Sequence, residues 1–150
     1  METKRFTEYY FEDALRLAQH FTEKHNATMT ATQGSAAKFP LVGGQPFPSE
    51  KLDVISVSKF DVTVCEVAFI SHDAPSEENR KYRNRSLYRV LVGEEIERVR
   101  REKNISLVEL AEKTGFRPHS LQRIEEGRWD IDVAQLGVIL DALGVEIHLI

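Results

Sequence analysis

The stretch from Asn104 to Trp129 constrains the chain more than any other, because its punctuation residues fix two short helices and the turn between them. Ser106 followed by Glu109 is a capping box: the hydroxyl accepts the N3 amide while the carboxylate reaches back to the cap amide, so a helix starts at Leu107. Leu107, Leu110 and Ala111 give that helix an apolar stripe, and Gly115 ends it because glycine tolerates a left-handed turn without a Cβ penalty. Phe116 re-enters the core. Pro118 suits the first turn of a second helix, where its missing N–H has no intrahelical partner to lose. Leu121 and Ile124 face inward on this helix, which leaves Arg117, His119, Ser120, Gln122 and Arg123 pointing outward, and Gly127 closes it.

Helix, glycine-containing turn, helix is the spacing of a helix-turn-helix unit. Around it stand Gly93-Glu-Glu-Ile-Glu-Arg-Val-Arg100, Ser106 through Thr114, Leu121-Gln-Arg-Ile-Glu-Glu-Gly-Arg128 and Leu136-Gly-Val-Ile-Leu-Asp-Ala-Leu-Gly144. With these motifs in this order, residues from about Leu91 to Val145 resemble the phage-repressor-like Cro/C1 (XRE) family of DNA-binding domains. The resemblance implies double-stranded DNA as partner, and a dimeric, sequence-specific transcriptional regulator whose helix over about 117–126 enters the major groove. Base edges then fall to Pro118, His119 and Arg123, with Ser120 and Gln122 nearby. An arginine such as Arg123 can hold guanine O6 and N7 in a bidentate contact worth ~1–3 kcal/mol of discrimination. Phosphate contacts fall to Arg117, Arg128 and the backbone at Ser106 and Leu107. Glu126 departs from the pattern by bringing a carboxylate toward the DNA backbone.

The last six residues, Val145-Glu-Ile-His-Leu-Ile150, alternate strictly and read as a strand. A terminal strand resembles the antitoxin branch of the family, in which such strands from two subunits pair. An unpaired apolar strand invites aggregation, so it is expected either to pair with a second copy, making a homodimer, or to join a sheet elsewhere in the chain. The alternative function is an antitoxin-like or other protein-interaction module.

Charge bears on that choice. Residues 93–150 carry eight Lys plus Arg against twelve Asp plus Glu, so the whole net charge of −4 lies in the DNA-binding half. Long-range attraction to DNA is therefore weak, and binding has to come from a local basic face. At 150 residues and 41% apolar, the chain has room for the repressor-like domain and one further unit. We expect an α+β protein with an N-terminal α+β unit over residues 1–74, a basic linker over 75–85 and the DNA-binding domain over 86–150. The N-terminal unit is assigned to oligomerisation, sensing of a small-molecule effector or binding of a protein partner.

Within that unit, Phe6, Tyr10, Ala14, Leu17 and Phe21 recur at helical spacings and predict a helix over 6–25 capped by Asn26. Thr28, Thr30 and Thr32 alternate as in a short strand, and Lys38 to Pro48 reads as a loop. Leu52–Ser58 and Val62–Ile70 are β-branched-rich strands joined by a hairpin turn at Lys59-Phe60-Asp61. Cys65, His72 and Asp73 raise a thiol–imidazole reading, and Gly43-Gly44 an anion cradle, but neither is completed by a base, an oxyanion site or a phosphate motif. We therefore expect no enzyme. His20 and His25 do not share a helix face, and no cofactor or metal pattern is present.

Arg80, Lys81, Arg83 and Arg85 make the linker basic, which suits a solvated connector or an arm that follows DNA phosphates. Ser86 is expected to cap a helix over about 87–103, with Leu91, Ile96 and Val99 inward and Arg98, Arg100 and Arg101 free; a strand over Leu87–Val92 is the alternative. Asp132 caps a last helix in which Val133, Leu136, Ile139, Leu140 and Leu143 face the core. One cysteine excludes an intramolecular disulfide and suits a reducing cytoplasm, and no apolar run approaches the length of a membrane span.

Overall fold

The computed structural model describes residues 3–33, 37–40, 53–71 and 76–146. It is an α+β protein in two compact units, Met1–Leu87 and Tyr88–Ile150.

The first unit is a five-stranded sheet in the order β1-β5-β4-β2-β3, with strands Lys4–Tyr10, Thr28–Gln33, Ala37–Pro40, Asp53–Lys59 and Val62–Ser71 numbered along the chain. β1 runs parallel to β5, and the other pairings are antiparallel. One helix, α1 (Phe11–His25), packs on it. Phe6, Tyr10, Phe11, Leu17, Phe21, Ala31, Ile55, Val57, Cys65, Val67 and Phe69 are buried as its core. Phe6 stacks on Phe21 at 5.6 Å and Phe11 meets Phe69 edge-on at 5.0 Å.

The helix expected over 6–25 is thus two elements. Residues 4–10 are a strand, in which Phe6, Glu8 and Tyr10 are buried and Arg5, Thr7 and Tyr9 are exposed. A spacing of four from Phe6 to Tyr10 satisfies a period of two as well as a helical turn, and pairing with β5 decides between them. The helix ends as expected at Asn26, which takes the left-handed conformation at φ 51°. Residues 38–40, expected in a loop, belong to β3, since Lys38, Phe39 and Pro40 pair with Thr32, Ala31 and Thr30. The rest of that loop, including Gly43-Gly44, lies outside the described residues, as do His72, Asp73 and the last four residues of the expected terminal strand.

The expected basic linker is not a free connector over 76–85. Residues Glu77–Tyr82 form a 3-10 helix, and Asn79 Nδ2 donates to the Tyr10 hydroxyl at 2.7 Å. Arg83 donates from Nε and Nη2 to the fully buried Asp13 carboxylate, at distances of 2.7–3.1 Å, and the Asn84 N–H donates to the same group at 3.1 Å. The bond from Asp13 holds Arg83 above its ordinary pKa. Ser86 does not act as the helix cap: its N–H donates to Glu8 Oε1 at 2.7 Å and its hydroxyl to the Thr7 carbonyl. Arg80 pairs with Glu77, and the Lys81 ammonium lies over the Tyr82 ring. Arg80, Lys81 and Arg85 stay exposed.

Four helices make the second unit: α2 (Arg85–Glu102, whose first turn falls in the first unit), α3 (Leu107–Thr114), α4 (Pro118–Glu125) and α5 (Val133–Ala142). Residues 86–92 are therefore helical. Ile96, Leu110, Ala111, Leu121, Ile124, Ile139 and Leu143 form the core, with Val99, Leu107, Phe116 and Leu136 against it. Two inward assignments fail: Leu91 is exposed, and Val133, the first residue of α5, is 81% exposed. α2 crosses α4 closely at Gly93, where a Cβ would lie 2.3 Å from the Ile124 carbonyl oxygen.

Candidate functional site

The helix pair α3–α4 is set by its caps. The Ser106 hydroxyl accepts the Glu109 N–H at 3.1 Å, and Gly115 ends α3 at φ 81°. Arg117 is the N-cap of α4 in extended conformation, and Pro118 occupies its first turn. Leu121 and Ile124 anchor α4 in the core, which turns Arg117, Pro118, His119, Gln122 and Arg123 out to solvent and leaves Ser120 half-buried. Ser106 is exposed, while Leu107 is half-buried against the core, so its side chain packs.

The arginines of the unit divide sharply. Arg89 pairs with Asp130 at 3.0 Å, Arg98 with Glu95 and Glu102, Arg101 with Glu97 at 2.8 Å and Arg128 with Glu126 at 3.2 Å. Arg100, expected to be free, is buried. Its Nε and Nη2 bond the Glu125 carboxylate at 2.7 and 3.0 Å, and its Nη1 donates to the Ile105 carbonyl at 3.0 Å. The bond to Glu125 raises the Arg100 pKa, and those to Glu95 and Glu102 raise that of Arg98. Only Arg117 and Arg123 have no carboxylate partner among the described residues, and both lie on the outer face of α4.

Sequence reasoning missed Arg100, although Ile96 and Arg100 are four apart on one helix and so share its inner face. It also missed that Gln122, four residues before Glu126, donates to that carboxylate from Nε2 at 3.4 Å.

A protein-family profile described as a helix-turn-helix domain matches residues 91–150. Residues 91–150 belong to the helix-turn-helix domain family. α3 and α4 are the helix pair of this domain, and Arg117 and Arg123 sit on the outer face of its second helix. Among solved structures, the chain is similar to the clp gene regulator ClgR of Corynebacterium glutamicum, with 30% identity over 39% of this chain and 76% of that one, at a TM-score of 0.39. A second ClgR structure gives 32% identity over 38% and 61%, at 0.38. The restriction-modification controller protein C.AhdI of Aeromonas hydrophila gives 22% identity over 40% of this chain and 91% of that one, at 0.39. No curated protein matches the chain.

Outside the helix-turn-helix domain, Cys65 is fully buried on β5. Burial pushes its thiol up to about 12, against a smaller opposing effect of Lys4, which is the reverse of what a nucleophile requires. No helix among the described residues is long and apolar enough to cross a membrane.

Proposed function

We propose that the chain is a DNA-binding transcription regulator of the Cro/C1 type, working as a homodimer, with α4 in the major groove. The observation that carries this reading is the distribution of unpaired arginines. In a unit where five arginines are tied to carboxylates, Arg117 and Arg123 alone have none among the described residues, and they flank His119 on one exposed helix face. An acidic unit that leaves its unpaired arginines on a single helix face concentrates its bidentate attraction for phosphate and guanine there. Arg123, His119, Ser120 and Gln122 read bases and Pro118 meets a thymine methyl, while Arg117, Arg128 and the backbone at Ser106 and Leu107 hold phosphates. The family match and the resemblance to ClgR, named as a gene regulator, support the reading. The N-terminal unit serves oligomerisation, sensing or partner binding.

The test is selection from a random duplex pool. A two-fold symmetric consensus recovered by wild type and lost with His119→Ala, Arg123→Ala supports a dimeric operator binder. Enrichment of no sequence by wild type contradicts it and favours the second reading, an antitoxin-like module that binds protein. The excess of twelve acidic over eight basic residues across 93–150 is what supports that alternative.

A further inference from the structure

We propose that Glu126 is a built-in brake on duplex binding. The inference rests on the DNA-binding reading and adds a control on that same face. Glu126 is the C-cap of α4, held in place by its backbone N–H to the Gln122 carbonyl at 3.0 Å and followed by Gly127 at φ 76°. Its two carboxylate oxygens are both engaged. Oε2 accepts from Arg128 Nη1 at 3.2 Å, and Oε1 accepts from Gln122 Nε2 at 3.4 Å. Gln122 is assigned to a base and Arg128 to a phosphate, so one acidic side chain holds two of the groups that DNA has to engage.

The Arg128 and Glu126 side chains are 21% and 22% exposed, which limits the water available to screen the pair. Before Arg128 can reach a phosphate it has to leave a partner of the same charge type, and the carboxylate left behind then faces the phosphates unneutralised. The exchange swaps one ion pair for another and adds a repulsion. Arg117 and Arg123 face no such competition, so Glu126 weakens the non-specific share of binding while leaving the guanine contact intact.

The experiment is equilibrium binding of the full chain to a labelled random-sequence duplex across a potassium chloride series, for wild type, Glu126→Gln and Asp141→Asn. Asp141 is exposed on α5 and supplies the same change of net charge away from α4. Glu126→Gln is expected to bind roughly fivefold tighter at low salt. Its log–log salt slope should steepen by about 0.9, one added phosphate contact. In an Arg128→Ala background the gain should shrink, because the released cation is gone. Wild-type binding that Arg123→Ala weakens, together with no gain in Glu126→Gln, overturns the brake and leaves the DNA-binding reading standing. An equal gain in Asp141→Asn, or an undiminished one in the Arg128→Ala background, also overturns it. Absence of duplex binding by wild type and Glu126→Gln alike overturns both.

Discussion

Arg100 and Glu125 form a bidentate, buried ion pair that ties α2 to the C-terminal end of α4, with both side chains at most 10% exposed. Arg100 also satisfies the Ile105 carbonyl just before α3, so one guanidinium fixes three segments around the helix pair. Desolvation makes such a pair a poor source of net stability, but it makes the loss of one partner costly.

Glu125→Ala should therefore destabilise the C-terminal unit by ~3–5 kcal/mol by stranding a buried cation. The double variant Arg100→Met, Glu125→Leu should recover most of the loss. Urea unfolding followed by the fluorescence of Trp129, the sole tryptophan, reads this unit directly. Equal stability of wild type and Glu125→Ala contradicts a buried pair.

The β4–β5 hairpin turn is Phe60-Asp61, closed by pairing of Lys59 with Val62. Both turn residues have positive φ, 52° and 64°, as a type I′ turn demands, although Asn-Gly is the sequence that adopts it without strain. Phe60 is 88% exposed and buries nothing in exchange. The double substitution Phe60→Asn, Asp61→Gly should stabilise the N-terminal unit by ~1 kcal/mol, less the small contact of Lys59 with the ring. Thermal unfolding of the two chains checks it, and an unchanged or lower midpoint contradicts the strain.

Cys65 links stability to alkaline pH. Its thiol stays protonated in the folded chain up to about 12, whereas in the unfolded chain it ionises from its ordinary value near 9.0. Between those values the unfolded state holds fewer protons, so stability falls as pH rises, by up to ~1.4 kcal/mol per pH unit. Cys65→Ala should flatten that decline, measured by urea midpoints from pH 8 upward. At neutral pH the native thiol should resist alkylation; rapid labelling contradicts its burial.

The C-terminal unit was legible because its signals are local. Ser106, Gly115, Pro118, Asp132 and the glycines after α4 and α5 act on the backbone within one turn, and each stands where its chemistry places it. The hairpin and Asn26 were legible for the same reason. What the sequence hid depends on residues far apart along the chain. Asp13 and Arg83 are 70 residues apart, so nothing in a basic stretch around Arg83 announces a buried carboxylate waiting for it. Residues 4–10 became a strand because β5 lies beside them, 61 residues on at Phe6 and Val67. Val133 was misplaced inward because the first residue of a short helix has no preceding turn to pack it. On the candidate site, the outward face of α4 was readable from periodicity, whereas the pairing that separates Arg117 and Arg123 from the other arginines needed coordinates.

The central claim, that α4 reads bases, is tested most directly by base-by-base affinity profiles on the selected site for Arg123→Ala and Arg117→Ala. Arg123→Ala should lose ~1–3 kcal/mol of discrimination at one guanine position and relax preference there alone. Arg117→Ala should weaken every sequence about equally and reduce the salt slope by about one contact. Profiles in which Arg123→Ala behaves like Arg117→Ala, lowering all affinities without relaxing any position, contradict base reading by this helix.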